Sequence, residues 1–164
     1  MIRGIHHTGF STPDLERAIE FYSGLLGFKV VNHFEWNAAD GSARWDGGEW
    51  KVGAKQLDEI TGLKGSAARA VFLLLGNAFI EIFEYSAPTP APAQPDRPVC
   101  DHGVTHIALI VDDVQAEYDR LKALGVPFHA PPREDFRAVY GRDPDGNVFE
   151  LMEVEPGSKI ALDV

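Results

Sequence analysis

Residues 140–153 read YGRDPDGNVFELME and contain the clearest structural signal in the chain. Their centre, residues 143–147, combines Pro and Gly at turn spacing with Asp and Asn side chains that can bond their own backbone. The run Val148–Val154 is typical of a strand, so the segment predicts a β-hairpin. On that strand Glu150 shares a face with apolar neighbours. A carboxylate there is costly to bury unless it meets a cation or a metal ion.

Length and composition limit the classes of protein. The 164 residues (18.0 kDa), 45% of them hydrophobic and 10 of them Phe, suit one globular domain. No apolar run is long enough to span a membrane. The formal charge of −10 disfavours nucleic acid as a partner, because phosphate binding needs clustered Lys and Arg. We therefore expect a small-molecule partner, with no nucleic acid and no membrane.

The chain opens directly into patterned sequence without the apolar core of a signal peptide, which predicts a cytoplasmic protein. Cys100 is the single cysteine, and the lack of a possible internal disulfide agrees with a reducing compartment.

The first half of the chain predicts a strand, a helix and then further strands. Ile5–Thr12 is compatible with a strand, and Asp14 can cap a helix that Gly27 ends. Phe28–Trp36 reads as a strand, Asn37–Gly48 as irregular chain and Gln56–Leu63 as a short helix closed by Gly62. Strands Ala70–Leu75 and Ala78–Tyr85 follow, joined by a Gly-Asn turn. The second of them carries Glu81 among apolar neighbours. The tryptophans Trp36, Trp45 and Trp50 suggest either a lid over a ligand or satellite packing under a long loop.

A Pro-rich connector divides the chain, and the pattern then repeats. Val104–Val111 predicts a strand, and Asp113 can cap a helix that Gly125 ends. His7 precedes Asp14 by seven residues, as His106 precedes Asp113. Each half ends in a hairpin with a carboxylate on an apolar face. The chain therefore predicts a tandem duplication of a strand, a helix and three strands: module one 1–85, connector 86–99 and module two 100–155, within one domain 1–164.

This repeat sharpens the expected chemistry. Two units related by a pseudo-twofold axis would bring four equivalent side chains into one cavity: His7, Glu81, His106 and Glu150. Two imidazoles and two carboxylates complete an N/O coordination set for Zn²⁺, Ni²⁺, Fe²⁺ or Mn²⁺. A lone strand His is more often structural and a lone strand Glu more often faces solvent, so the prediction depends on the four matched positions.

Three groups of residues carry a family resemblance. IHHTGF (5–10) with PDLERAIEFY (13–22) and LLGF (25–28) resembles the first module of the vicinal oxygen chelate superfamily. FIEI (79–82), VTHIAL (104–109) and DPDGNVFEL (143–151) match its other landmarks. That superfamily includes glyoxalase I, methylmalonyl-CoA epimerase, extradiol dioxygenases and bleomycin and fosfomycin resistance proteins. The resemblance covers nearly the whole chain.

The resemblance implies an α+β fold with two tandem βαβββ modules, whose curved sheets enclose a metal in a central cavity. It makes His7, Glu81, His106 and Glu150 the metal ligands. Extradiol dioxygenases of the superfamily have no carboxylate at the place of Glu81, so the sequence is most similar to the branch of glyoxalase I and methylmalonyl-CoA epimerase. The shared reaction there is proton removal beside a carbonyl. Glu150 or Glu81 would be the base, with a slight preference for Glu150.

The sequence thus predicts a metal-dependent, glyoxalase-like lyase or isomerase acting on a small substrate, and we expect a homodimer. Two alternatives stay open: a protein that binds an antibiotic or other small molecule without catalysis, and an Fe(II)-dependent dioxygenase. The candidate cations for an anionic substrate are Arg69, Arg133 and Arg137. Tyr85, Tyr140 and His102 are candidates for a second acid or base.

Overall fold

The computed structural model describes residues 1–47 and 52–162. These residues form two compact units, Met1–Pro92 and Ala93–Val164, and the division falls inside the Pro-rich connector. Trp50 lies outside the described residues. Of the part that the structure describes, no helix is long and apolar enough to cross a membrane.

Unit 1 contains a five-stranded sheet in the order β1-β5-β4-β2-β3. Its strands are β1 (His7–Ser11), β2 (Lys29–Asn37), β3 (Ser42–Trp45), β4 (Ala67–Leu75) and β5 (Ala78–Ala87). Its helices are α1 (Leu15–Ile19), which continues as a π-helical segment over Glu20–Leu25, and α2 (Ala54–Thr61). β1 pairs with β5 in parallel, whereas the other neighbours are antiparallel.

Unit 2 repeats the beginning and the end of this arrangement. It contains β6 (His106–Ile110), α3 (Val114–Ala123), β7 (Ala138–Arg142) and β8 (Val148–Met152), with the strands in the order β6-β8-β7. β6 pairs with β8 in parallel, as β1 pairs with β5.

The predicted caps begin both helices that follow a first strand. Asp14 Oδ1 accepts a hydrogen bond from the Arg17 backbone N–H at 3.0 Å, and Asp113 Oδ1 accepts one from Ala116 N–H at 2.9 Å. Such caps satisfy amides that have no partner inside the helix. Gly125 follows α3 with a φ of +87°, a backbone conformation that Gly adopts without steric cost.

Each sheet has one face against its first helix, which we call the outer face. In unit 1 Ile80 and Ile82 are buried on that side, and the Phe10 and Tyr22 rings lie 5.3 Å apart there. In unit 2 Phe149 and Leu151 are buried, and α3 contacts β8. Alternation along the strands places Glu81 and Glu150 on the opposite faces, which we call the inner faces.

The α+β class is confirmed, but two local expectations are wrong. Residues 42–45 form strand β3, which pairs with β2, where the sequence predicted irregular chain. The sequence predicted three strands after α3, but the described residues there form two strands and an isolated bridge between Phe128 and Gly141. Pro127, Pro131 and Pro132 lack the N–H groups that a continuous ladder needs, which accounts for the missing strand.

Candidate metal centre

On the inner face of unit 1, His7 and Glu81 form a close pair. His7 Nε2 lies 3.1 Å from Glu81 Oε2, and the side chains are 37% and 14% exposed. His7 opens β1 and Glu81 lies in the middle of β5, so the parallel pairing of these strands brings together residues far apart in the sequence.

Unit 2 contains a second pair of the same kind. His106 Nε2 lies 3.2 Å from Glu150 Oε2, and the side chains are 28% and 11% exposed. Asp143 holds the turn before Glu150: its Oδ1 accepts from the backbone N–H groups of Asp145 and Asn147 at 2.9 and 2.8 Å. This side-chain lock on the hairpin turn was predicted from the sequence and fixes the start of β8.

The two pairs have the same strand register. Gly9, two residues after His7, lies opposite Glu81, and Ala108, two residues after His106, lies opposite Glu150. The antiparallel neighbour of Glu81 is Phe72, and that of Glu150 is Tyr140. The predicted equivalence of the two His–Glu pairs is thus reproduced strand by strand.

The residue before each histidine supports its ring, a role that sequence reasoning missed. The Nδ1 atoms of His6 and His7 are 2.9 Å apart, and Thr105 Oγ1 lies 2.8 Å from His106 Nδ1. His6 also stacks on Phe79, with ring centroids 4.9 Å apart. Engaging Nδ1 leaves Nε2 of each ring directed at its carboxylate, which is how proteins orient histidines that bind metals. The matching positions in the two repeats were the signal available in the sequence.

The Glu81 carboxyl has a perturbed pKa. Burial raises the pKa of the Glu81 carboxyl from 4.5 to about 7, because an apolar environment disfavours the charged form. The carboxyl is therefore partly protonated near neutral pH unless a cation is present.

Both tyrosines proposed from the sequence lie near a carboxylate. Burial, and secondarily the charge of Glu81, raises the pKa of Tyr85. Burial and then the charge of Glu150 raises the pKa of Tyr140, whose ring lies 4.9 Å from that of His106. His102 is exposed.

The donor chemistry of each pair fits half of a metal site. Each supplies one imidazole nitrogen and one carboxylate oxygen about 3 Å apart, the ligand types that Zn²⁺ and other first-row divalent metals accept. Among the described residues, no three His, Cys, Asp or Glu side chains form a group that could hold a metal.

Aromatic side chains form a cluster on the inner face of unit 1, and one of them, Phe72, lies beside His7. Phe34 stacks near Trp36 and Phe72, with ring centroids 6.0 and 5.9 Å away, and the Phe83 and Tyr85 rings stack 5.6 Å apart. Ala54 and Leu57 of α2 join this cluster, so the helix covers part of the inner face. Trp36 and Trp45 take part in the cluster as packing residues.

The three candidate arginines all pair with carboxylates. Arg69 bonds Glu84 at 2.5 Å and Glu16 at 3.1 Å, and Arg133 bonds Asp135 at 2.8 Å. Arg137 pairs with Glu153. Arg69 lies on β4 beside Val71 and Leu73 of the outer face, away from Glu81. None of the three pairs with Glu81 or Glu150, so the structure gives no support for their proposed role.

Comparison with known proteins identifies the relatives of this arrangement. The model of the glyoxalase/bleomycin resistance protein/dioxygenase superfamily matches residues 4–151. The chain is 29% identical to a 2-epi-5-epi-valiolone epimerase from an Actinomyces species, over 94% of this chain and 81% of that protein. It is 24% identical to a lactoylglutathione lyase from Pseudomonas putida, over 92% and 85%. A glyoxalase family protein from Bacillus cereus has the same fold, with a TM-score of 0.74 and 18% identity over 93% of this chain and 95% of that one.

Proposed function

Because the chain belongs to the glyoxalase/bleomycin resistance protein/dioxygenase superfamily, we propose that it is a metal-dependent isomerase or lyase that removes a proton beside a carbonyl of a small substrate. The observation that carries the proposal is the identical register of two His–Glu pairs on the inner faces of two repeated units. The similarity to an epimerase and to a lyase supports this class of reaction.

His7, Glu81, His106 and Glu150 are the proposed metal ligands. A divalent metal bound by them would supply Lewis-acid stabilisation of negative charge on a carbonyl oxygen. Thr105 and His6 would keep the two imidazoles in the orientation that binding requires. Glu81 and Glu150 are the candidates for the base, since each is a carboxylate whose neighbour on the adjacent strand is aromatic, Phe72 for Glu81 and Tyr140 for Glu150.

The presence of Glu81 favours this proposal over the dioxygenase alternative. A dioxygenase would need only three protein ligands to its metal, and the substrate or oxygen would then occupy the coordination position of Glu81. Here Glu81 is 14% exposed and lies 3.1 Å from His7, the arrangement expected of a fourth ligand. We also propose a cytoplasmic homodimer, which sedimentation velocity and fractionation of cells can check.

The decisive experiment compares Glu81→Gln and Glu150→Gln with Glu84→Gln. Glutamine keeps the size of the side chain but removes the charge and the basicity. We expect both inner-face variants to fold, to bind Zn²⁺ or Mn²⁺ at least about tenfold more weakly, and to exchange substrate protons with deuterated solvent about 100-fold more slowly if the altered carboxylate is the base. Glu84 lies on the same strand but faces outward and pairs with Arg69, so its variant should bind metal normally.

Three results would reject the proposal. The first is full turnover by Glu81→Gln on an identified substrate, and the second is oxygen uptake in step with product by the wild type, which would indicate a dioxygenase. The third is tight binding of a small molecule without any proton exchange, which would indicate a binding protein.

A further inference from the structure

Asn32 is a buried polar residue that the metal chemistry does not use. It is 6% exposed, and its amide Nδ2 has no hydrogen-bond partner among the described residues. A buried polar group without a partner costs about 1–3 kcal/mol, and few such groups occur in folded proteins. We therefore expect the Asn32 amide to form a hydrogen bond with a ligand that is bound when the protein functions.

Strand register places Asn32 on the inner face beside the proposed site. Asn32 lies opposite Phe72, and Phe72 lies opposite Glu81. Strands neighbour each other at about 4.8 Å, so the Asn32 and Glu81 backbones are about 10 Å apart. This separation is too long for a bond between the two side chains but suits a small molecule lying across Phe72.

The surface between them is aromatic. The Phe72 ring lies 5.4 Å from that of His7 and 5.9 Å from that of Phe34, and Phe79 packs edge-on against it at 6.2 Å. Ligand sites combine such apolar walls with a few polar groups that fix orientation. An amide at one end and a His–Glu pair at the other are groups of that kind.

Charge on this face argues for an uncharged ligand. Of the Lys and Arg residues in the described strands of unit 1, the register places Lys29 alone on the inner face, opposite Leu74. Lys29 is exposed, opens β2 and does not share the row of Phe72. Arg44 and Arg69 are paired with Glu35 and with Glu84 and Glu16 on the outer face.

We propose that Asn32 is a substrate-positioning residue that hydrogen-bonds a hydroxyl or carbonyl oxygen of a small uncharged hydroxy-carbonyl compound lying over Phe72, whose other oxygens face His7 and Glu81. The proposal rests on the proposed function for the identity of the reacting end. An amide bonds either kind of oxygen because it carries both donors and an acceptor.

The test uses full-length protein supplied with Mn²⁺ and two probes, uncharged 2-hydroxycyclohexanone and anionic lactate, with affinities measured by calorimetry. Asn32→Leu keeps the branching and the number of side-chain heavy atoms but has no hydrogen-bonding group. We expect it to weaken 2-hydroxycyclohexanone binding about fivefold to tenfold, with unchanged affinity for Mn²⁺ and an unchanged or higher melting temperature. Lys29→Gln is the matched control on the same face and should leave the affinity for both probes unchanged.

A second measurement does not depend on a variant that folds. In the wild type supplied with diamagnetic Zn²⁺, the ¹⁵N resonance of the Asn32 side-chain amide should shift as 2-hydroxycyclohexanone binds. An unmoved resonance at saturation, or an Asn32→Leu protein that changes only in melting temperature, would show that Asn32 is purely structural and would overturn the inference. Preference for lactate with a loss of its binding in Lys29→Gln, or no binding of 2-hydroxycyclohexanone at all, would overturn the assignment of an uncharged substrate.

These outcomes are separate from failure of the proposed function. That function fails if the wild type binds no metal or exchanges no proton, whereas the inference about Asn32 is read from probe affinity and from an amide resonance.

Discussion

Gly146 shows how one residue can fix the hairpin that carries Glu150. Its φ is +86°, and a Cβ atom added there would lie 2.2 Å from the Cα of Pro95. The neighbouring Arg142 donates to the backbone carbonyls of Pro95, Arg97 and Gly146 at 2.7–3.0 Å. The absence of a side chain at Gly146 lets residues 95–97 approach the β7–β8 turn, and the hydrogen bonds of the Arg142 guanidinium hold them there.

Replacing this glycine should therefore be costly. We expect Gly146→Ala to lower the free energy of unfolding by about 2 kcal/mol or more, because it combines a strained backbone with a collision against the Pro95 backbone. Gly125→Ala is the control, since Gly125 has a similar φ of +87° but no atom within 4 Å of an added Cβ. Urea unfolding of both variants measures the difference, and equal losses would show that the Pro95 contact has no energetic weight.

His129 makes the Arg142 arrangement sensitive to pH. Its Nε2 lies 3.1 Å from Arg142 Nε and accepts a hydrogen bond, so the ring is unprotonated there. Burial, and secondarily the charge of Arg142, lowers the pKa of His129 below 6.5. The unfolded chain therefore takes up a proton more readily than the folded one, and stability falls as the pH decreases below about 6.5. The Tyr140 ring also faces His129, with ring centroids 6.0 Å apart.

Urea unfolding at pH 7.5, 6.5 and 5.5 tests this expectation. His129→Gln keeps an acceptor for Arg142 but does not titrate, so it should lose less stability on acidification than the wild type. His102→Gln replaces an exposed histidine of the same unit and should follow the wild type. Parallel losses in wild type and His129→Gln would contradict the assignment.

At the scale of elements, α1 and α3 begin in the same way and pack against equivalent strands. Each starts at an Asp whose side chain accepts from the backbone N–H three residues on, at 3.0 and 2.9 Å. Val114 and Leu121 of α3 are buried against the outer face of the unit 2 sheet. The cap therefore fixes where the helix begins, and burial of its apolar side fixes how it packs.

Removing a cap should cost stability without touching the inner face. We expect Asp113→Ala to lower the free energy of unfolding by about 1 kcal/mol, the usual value for a lost N-cap. Asp112→Ala, at the preceding residue, removes a carboxylate that does not bond the first turn of the helix and should have a smaller effect. Thermal unfolding followed by circular dichroism compares them, and a larger loss in Asp112→Ala would refute the role of the cap.

At the scale of the whole molecule, the proposed metal site would connect stability to metal binding. In the absence of a cation, partial burial favours the protonated form of the Glu81 carboxyl, as its raised pKa shows. A ligand that binds only the folded state stabilises it in proportion to the logarithm of its concentration over its dissociation constant.

Removing metal should therefore lower the melting temperature. We expect a loss of roughly 5–10 °C on treatment with a chelator, restored by added Zn²⁺ or Mn²⁺. A Glu81→Gln/Glu150→Gln double variant should melt at the same temperature with and without chelator. An unchanged melting curve in wild-type protein that was shown to carry metal would contradict a structural contribution of the metal.

The sequence by itself determined the features that depend on neighbouring residues. Caps, turns and strand periodicity act within a few residues, so they can be predicted locally. They include the two Asp caps, the turn held by Asp143, and the alternation that places Glu81 and Glu150 opposite the helix-covered faces. The repeat also allowed a long-range prediction from sequence, since it matched His7 to His106 and Glu81 to Glu150 without knowledge of the contacts between strands.

Only the tertiary structure decided how distant strands are registered and what each side chain meets. It supplied the 3.1 Å approach of His7 to Glu81, the pairing of β3 with β2, and the ion pairs of Arg69 and Arg137. It also showed that the buried amide nitrogen of Asn32 has no partner among the described residues. These features arise from pairing and burial between segments up to tens of residues apart. Because Asn32 is an ordinary polar residue within a strand pattern, no local rule could show that its amide nitrogen has no partner in the described part of the chain, across Phe72 from Glu81.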